Sequence, residues 1–192
     1  MAVSSRGPRG TARYSAAQNR VIAAAVDLFA EHGVGGTSLQ MIANAIGVTK
    51  AAVYHQFRTK DEIVLAAAEA GMDRLEATLE AAEAEEGPEV LDVLLGRLID
   101  LAVDHRRMVG ILQGDPVMVR LLVEHEPFRL LMQRLDRLLV GDDPTVDRRV
   151  PAAMLTAAIG GAVLHPLVAD LDDDALRSNL LELTRRFLQL PT

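Results

Sequence analysis

The sequence feature that most constrains the fold is a pair of short helical segments between Thr37 and Phe57, separated by a turn that contains Gly47. The first segment carries apolar residues at the spacing of one helix face, namely Leu39, Ile42, Ala43 and Ile46. Thr49 can cap the second segment, in which Val53 and Phe57 lie four residues apart and therefore share a face. Two brief helices joined by a tight glycine-containing turn are typical of a helix-turn-helix.

Helix start and stop signals continue along the whole chain. Three pairs have the spacing of a capping box, in which two side chains satisfy free N–H groups at a helix start: Ser15 with Gln18, Thr37 with Gln40, and Thr59 with Glu62. Beyond a long helix that follows Thr59, glycine, proline and acidic positions delimit further helices over 88–105, 106–113, 116–125, 127–140, 146–169 and 173–189. No segment alternates with period two, so we predict an all-α protein of about nine helices.

The charges are distributed unevenly along the chain. The formal net charge of the 192 residues is −7, yet residues 1–60 carry seven Lys or Arg and two Asp or Glu, a net of +5, which leaves −12 for residues 61–192. A basic end on an acidic chain indicates contact with a polyanion, and chance variation in a short segment is the alternative. We predict a DNA-binding domain over 1–60, beginning with a flexible arm at 1–14, and a second domain over 61–192. Whether Arg6, Arg9 and Arg13 of the arm reach a minor groove or only solubilise the chain stays open.

The exposed side of the second short helix suits double-stranded DNA. A helix fits the major groove, and the first residues of the second helix in such a motif face the base edges. Lys50 can donate to guanine, and the methyl group of Ala51 can touch a thymine methyl. Polar groups nearby suit phosphates, which fix the register without reading sequence. The predicted DNA contacts are Thr37, Ser38, Thr49, Lys50, Ala51, Tyr54, His55 and Lys60.

The run TSLQMIANAIGVTKAAVYHQFRTKDEIVLAAAE closely resembles the DNA-binding signature of the tetracycline-repressor (TetR) family of bacterial regulators. The matching positions are Thr37, Ile42, Ala43, Gly47, Val48, Tyr54, Phe57, Lys60 and Glu62. The resemblance implies an all-helical homodimer with three N-terminal helices on DNA and a C-terminal domain that binds a small effector. It gives Tyr54 and Lys60 phosphate-contact roles. It also places Thr49, Lys50 and His55 near base edges, although the last two occupy positions that vary within the family.

Two further sets of residues are predicted in the second domain. Small residues recur every four positions in the helix over 146–169, and larger apolar residues lie near the C-terminus. This pattern suits a two-fold contact between copies, and packing within a single chain is the alternative. The predicted dimer interface consists of Ala153, Ala157, Gly161, Leu180, Leu183 and Phe187. Flexible apolar side chains suit an irregular cavity, although packing in the core is an alternative role for them. The predicted effector pocket consists of His105, Met108, Leu112, Met118, Leu122, Phe128, Met132 and Met154.

Motifs and composition limit the function classes. The sequence has no Cys, which removes disulfides and thiol chemistry and suits a reducing cytoplasm. It has no Ser-His-Asp grouping, GxSxG or HExxH motif, so we expect no enzyme activity, cofactor or metal. The uncharged stretch from Val150 to Ala169 contains two prolines and two adjacent glycines, which favours a buried interface helix over a membrane span.

These expectations combine into one function. The chain is expected to be a cytoplasmic, ligand-responsive transcriptional regulator, most simply a repressor that a small apolar effector releases from a palindromic operator. Two alternatives remain. One is a constitutive DNA-binding protein without an effector, and the other is a small helical carrier or enzyme that retains the fold.

Overall fold

A computed structural model describes residues 13–85, 87, 89–142 and 145–188, and every regular element in these ranges is helical. Ten α-helices follow one another: α1 (Ala16–Gly36), α2 (Leu39–Ala45), α3 (Lys50–Gln56), α4 (Lys60–Glu83), α5 (Glu89–Asp104), α6 (Arg106–Gly114), α7 (Pro116–Glu124), α8 (Glu126–Val140), α9 (Val146–Ala162) and α10 (Asp173–Leu188). The predicted all-α class is confirmed, with ten helices instead of about nine. Arg6 and Arg9 of the predicted arm lie outside the described residues.

The predicted helix starts are confirmed in position, although two of the three capping boxes differ in detail. Ser15 and Gln18 form the complete reciprocal box at the start of α1. Thr59 caps α4, but the carboxylate of Glu62 accepts from the backbone N–H of Arg58 at 2.7 Å. The box predicted at Thr37 is wrong, because Ser38 is the N-cap of α2 and accepts from the backbone N–H of Met41.

α1 bends sharply near its C-terminal end, where Gly33 has a φ of +71°. A positive φ strains any residue with a side chain, so glycine is the natural choice there. The bend frees the backbone N–H of Val34, which donates to Oδ2 of Asp115 at 2.7 Å. Oδ1 of Asp115 caps α7 by accepting from Val117 and Met118 at 2.9 and 3.0 Å. One carboxylate thus ties α1 to the corner between α6 and α7.

The three N-terminal helices share their apolar core with the larger helical body, which consists of α4 to α10. Phe29 of α1, Ile42 of α2 and Val53 of α3 are almost completely buried and belong to one cluster. The same cluster includes Ile63 at the start of α4 and Met118 of α7. α4 therefore belongs to both regions, and its first half packs against α1.

The remaining core lies between α4, α5, α8, α9 and α10 in two further clusters. Ile99 of α5, Ile159 of α9 and Leu176 of α10 are central to one of them. The predicted helix over 146–169 is too long. α9 ends at Ala162, and a single 3-10 turn, Pro166–Val168, follows His165. Proline lacks an N–H donor and cannot continue the helix. None of the helices among the described residues is long and apolar enough to cross a membrane.

Candidate DNA-binding surface and effector cavity

α3 presents one buried face and one exposed face, as the spacing of Val53 and Phe57 predicts. Both of these side chains are buried in the core, at 0% and 5% exposure. Thr49 caps the helix, with Oγ1 accepting from the backbone N–H of Ala52 at 3.2 Å. The turn before it depends on Gly47, whose φ is +69°, a conformation that residues with a side chain rarely adopt. The local sequence therefore fixes which side of α3 faces outward.

Two hydrogen bonds from α1 hold the helix-turn-helix in place. Arg20 Nη2 donates to the carbonyl of Ile46 at the end of α2, at 3.2 Å. Gln18 Nε2 donates to the carbonyl of Gln56 at the end of α3, at 3.4 Å. Both acceptors are carbonyls near the ends of helices, where they lack intrahelical partners. α1 thus serves as the support on which the outer face of α3 is held.

The outer face of α3 carries cationic and hydrogen-bonding groups. Lys50, Ala51, Tyr54 and His55 are all exposed, and 49% of Tyr54 is accessible. The guanidinium of Arg58 lies 6.0 Å from the centre of the Tyr54 ring, within the range of a cation–π contact. The sequence from 32 to 60 contains no Asp or Glu. This face therefore offers hydrogen-bond donors and positive charge to a polyanion.

The structure corrects the predicted role of Thr37. Its side chain is only 2% exposed, and its hydroxyl lies 2.8 and 3.2 Å from the carbonyl oxygens of Gly33 and Leu28. The hydroxyl therefore holds the end of α1, and the predicted DNA contact through this side chain is wrong. Ser38 beside it is exposed, while its Oγ caps α2.

Lys60 makes hydrogen bonds within the protein that the sequence did not predict. Its Nζ donates to the carbonyls of Val34 and Thr37, at 2.7 and 3.0 Å. An ammonium group has three N–H donors, so one donor remains for another partner. The lysine thus closes the bend of α1 against the start of α4, and any contact with a phosphate is additional to that role.

The start of α1 is fastened to α4 by residues that the sequence pattern does not reveal. Arg13 forms ion pairs with Glu69 and Asp73 at 3.0 and 3.4 Å. The Tyr14 hydroxyl donates to the Glu69 carboxylate. Burial, the hydrogen bond and the negative charge of Glu69 raise the pKa of Tyr14 to about 12. The guanidinium of Arg13 therefore lies on α4, which contradicts the suggestion that it extends toward a minor groove.

A cavity of about 630 Å³ lies below the DNA-binding helices, bounded by α1, α4, α5, α6, α7, α8 and the start of α10. Five of the eight predicted pocket residues line it: His105, Met108, Leu112, Leu122 and Phe128. The other three do not. Met118 is fully buried in the core around α1, Met132 packs against the cluster around Leu79, and Met154 is 58% exposed on α9. The prediction is wrong for those three because helical spacing alone does not show which core a methionine enters.

Several residues that line the cavity were not predicted from the sequence. α4 contributes Ala67, Ala68, Ala70 and Gly71, and α1 contributes Ala23 and Val26. The run of small residues in α4 was a usable signal, because helices with small side chains leave space between them. The charged lining residues, among them Arg74 and Arg106, gave no such signal, because nothing in their local pattern separates them from solvent-exposed residues.

The charged residues of the cavity gather around the junction of α5 and α6. Arg106 forms an ion pair with Asp173 of α10, and Arg107 forms one with Asp27 of α1 at 2.5 Å. The Nε–H of Arg106 is buried and has no hydrogen-bond partner among the described residues. Burial and the nearby Arg74 lower the pKa of His105, and Asp104 only partly opposes them. The imidazole at this end of the cavity therefore favours its neutral form.

An exposed apolar surface runs along α9 and α10. Met154, Leu183 and Phe187 are each about half exposed or more, at 58%, 58% and 49%. The predicted interface residues Ala153, Ala157 and Gly161 are also exposed. Leu180 is different, because it is 9% exposed and packs in the core between α5, α9 and α10 of its own chain. The prediction for Leu180 is therefore wrong. Thr184, four residues later in α10, is also buried, so this face of the helix points into the chain's own core.

The comparisons with known proteins agree with this geometry. The sequence model described as "Bacterial regulatory proteins, tetR family" matches residues 21–67, from the middle of α1 to the first part of α4. A curated relative, the "Uncharacterized HTH-type transcriptional regulator YerO" of Bacillus subtilis, is 28% identical over 104 residues. That match covers 52% of this chain and 36% of the relative, so it spans little more than a third of the relative's length.

Solved structures extend the likeness to almost the whole fold. A tetR-family regulatory protein from Rhodococcus RHA1 superimposes with a TM-score of 0.72 at 21% identity, covering 93% of this chain and all of the other. AibR, solved in complex with isovaleryl coenzyme A and operator DNA, gives a TM-score of 0.66 at 21% identity, covering 87% of this chain and 97% of AibR. The matched family and these relatives are regulators and not enzymes. The N-terminal sequence of this chain thus matches the model of the tetR family of bacterial regulatory proteins, and the described helices adopt the fold of solved tetR-family regulators.

Proposed function

We propose that the protein is a ligand-responsive repressor that binds a palindromic operator through α3. The observation that carries this proposal is the outer face of α3, which displays Lys50, Tyr54 and His55 while Val53 and Phe57 anchor the opposite face in the core. A helix held in this way can enter a major groove without rearranging its own packing.

The exposed residues divide into two kinds of DNA contact. Lys50 and Ala51, at the first turn of α3, face base edges, and Thr49 and His55 flank them. Tyr54, Ser38 and the remaining N–H of Lys60 bind phosphates, which set the register. Because Lys60 already holds the bend of α1, its substitution would disturb the fold as well as the contact. Tyr54 and Lys50 are therefore the better residues for testing the proposal.

A second copy of the chain completes the DNA-binding unit. The exposed apolar surface of α9 and α10 supplies small residues, including Ala157 and Gly161, that let two helices approach closely, and larger ones such as Leu183 and Phe187. A two-fold contact uses the same surface on both copies. In such a dimer the two α3 helices would read half-sites about 34 Å apart, one turn of DNA.

The cavity supplies a route for regulation. Its wall includes Val26 of α1 and Gly71 of α4, so a bound molecule touches the helix that supports α3 and the helix that joins the two regions. A ligand shifts an equilibrium only by its differential affinity for the two states, and a coupling of about 1–3 kcal/mol changes operator affinity several-fold or more. AibR was solved in complex with isovaleryl coenzyme A and operator DNA, which supports a ligand-binding role for a chain of the same fold. The cavity also favours an effector-responsive regulator over a constitutive one.

The first experiment identifies the operator by selecting bound fragments from random double-stranded DNA. We expect an inverted repeat. Against that operator, Tyr54→Phe should weaken binding at every sequence, whereas Lys50→Ala should lower affinity for the preferred half-site and relax the preference at one position, by about 1–3 kcal/mol.

A matched control removes one positive charge elsewhere. Arg120 lies exposed on α7, so Arg120→Ala should leave operator binding as in the parent chain. If Lys50→Ala and Arg120→Ala have the same effect, or if Lys50→Ala has none, α3 does not read the bases and the proposal fails. Selection that returns no common sequence would also contradict it.

A further inference from the structure

The effector cavity has an apolar part and a charged end. Side chains from separate helices, such as Leu75 of α4, Leu112 of α6 and Phe128 of α8, form the apolar part. The charged end lies at the junction of α5 and α6, where Asp104, His105, Arg106 and Arg107 follow one another in sequence. A volume of about 630 Å³ lies within the range of about 300–1,000 Å³ for sites of small molecules. The cavity is therefore suited to an elongated molecule with one polar end.

Three arginines and three aspartates line the cavity, so its formal charges balance, but the ion pairs do not all form within its wall. Arg107 is paired with Asp27, and Arg106 with Asp173. The third lining carboxylate, Asp104, forms its ion pair with Arg177, which is not part of the cavity wall.

Arg74 is left without a carboxylate partner among the described residues. Its Nη1 donates only to the carbonyl of Ala70 in its own helix, at 3.0 Å. Arg74 is close enough to His105 to lower that residue's pKa, so the two groups share one end of the cavity. One positive charge is therefore available to a ligand.

Arg106 adds an unsatisfied donor to the same end. Its Nε–H is buried without a partner among the described residues, and a buried donor left unpaired is unfavourable. An acceptor on a ligand would remove that cost. A neutral apolar ligand would leave the donor unsatisfied, and a cationic ligand would be repelled by Arg74.

We propose that the effector is an amphipathic carboxylate, whose apolar chain fills the cavity and whose carboxylate binds between Arg74 and Arg106. The inference rests on the proposed function only in taking this cavity as the effector site. A planar carboxylate matches the fork of a guanidinium, and its single negative charge matches the single unpaired cation. The neutral His105 beside them can donate one further hydrogen bond to it.

The test compares decanoate with decanamide, which keeps the chain and removes the charge. Decanoate at about a hundred times its Kd should raise the melting temperature of the full chain by roughly 5–10 °C, and decanamide at the same concentration should raise it far less. Equal shifts from both compounds would show that the charged end is not recognised, and absence of a shift from decanoate would overturn the proposal.

Three arginine variants locate the contact. Arg74→Gln removes a side chain that holds no ion pair with a described residue, so the fold should persist while the Kd for decanoate rises roughly 10–100-fold. Arg106→Gln should weaken binding similarly, whereas Arg120→Gln removes an exposed arginine of α7 outside the cavity wall and should leave the Kd unchanged. Arg74→Gln binding decanoate as tightly as the parent chain would contradict the assignment.

The operator assay separates failure of this inference from failure of the proposed function. Decanoate should weaken operator binding by the parent chain several-fold or more, and decanamide should not. Operator binding that decanoate leaves unchanged would overturn the carboxylate effector while the DNA-binding role stands. Decanoate that raises the melting temperature of a chain without any preferred DNA sequence would support the cavity assignment and overturn the repressor.

Discussion

The candidate DNA-binding surface and the candidate effector cavity are assembled in opposite ways. Residues 37–60 supply the whole candidate DNA surface, so one continuous stretch of sequence contains its caps, its turn and its outward face. The cavity draws its wall from residues between Ala23 and Asp173, contributed by seven helices. A contiguous site can be specified by local rules, whereas a dispersed one depends on how distant helices pack.

The two regions also differ in how tightly they are filled. Phe29 and Val53 in the N-terminal helices are 2% and 0% exposed. Phe128 lies on the cavity wall and is only partly buried. A rigid support suits a helix that must fit a groove, while incomplete filling leaves space for a ligand in the body.

The largest expected effect is a difference in the free energy of unfolding between substitutions of these two phenylalanines. Phe29→Ala should lower the free energy of unfolding by about 3–5 kcal/mol, because it opens a cavity in a well-packed core. Phe128→Ala should cost less than half as much, about 1–2 kcal/mol, because the ring already borders empty space. Urea unfolding followed by circular dichroism measures both. Equal costs for the two substitutions would mean that the cavity is closed in solution and that the two regions are packed alike.

Local sequence patterns were sufficient to predict most of the fold. Serine or threonine before the helix, as at Ser15 and Thr49, located helix starts because a side-chain oxygen there satisfies a free N–H. Gly33 and Gly47 located turns because both adopt a positive φ. These signals act over a few residues, which is why helix order and the buried face of α3 could be predicted without knowing any tertiary contact.

The errors, and the incomplete prediction for Lys60, concern residues whose role is decided by a distant partner. Thr37 and Lys60 have the residue types and positions of phosphate contacts, yet carbonyls at the bend of α1 engage both of them. Met154 has the flexibility of a pocket residue but points outward from α9, and Leu180 points inward from α10. In each case helical periodicity gives a face, and only the packing of other helices determines whether that face meets the core, the cavity or a second chain.

A smaller effect tests the link between the two regions. Asp115→Ala removes the cap of α7 and the acceptor for Val34, so it should lower the free energy of unfolding by about 2–4 kcal/mol. Asp115→Asn keeps an acceptor at the cap and should cost about 1 kcal/mol. Asp136→Ala, at an exposed position on α8, is the matched control and should lie within about 0.5 kcal/mol of the parent chain.

The shape of the unfolding curve shows whether the N-terminal helices and the body unfold together. Since one apolar cluster includes α1, α4 and α7, we expect Asp115→Ala to move a single transition without changing its denaturant dependence. Two separate transitions would show that the DNA-binding helices and the body unfold independently. In that case the shared core would be too weak to carry a signal from the cavity to α3.

The smallest expected effect concerns the pH dependence of the body. The pKa of His105 is lowered below 6.5 in the folded chain, chiefly by burial and then by Arg74. Between the lowered and the ordinary value, the unfolded chain binds more protons than the folded one, so this residue makes stability fall as the pH drops below about 6.5. His105→Gln should flatten the loss of stability between about pH 7 and pH 5, measured against the parent chain in the same buffers.

A bound carboxylate should change the pKa of His105, because it adds a negative charge to the same end of the cavity. A bound carboxylate near Arg74 would offset the positive charge that disfavours protonated His105, so saturating decanoate should raise the pKa of His105 and reduce the difference between the parent chain and His105→Gln. The His105 ring signals in a pH titration by NMR report this pKa directly. If its pKa is the same with and without decanoate, the carboxylate does not lie at the charged end. The charged residues of the cavity would then serve only to hold helices together, as the ion pairs between α1 and α4 do.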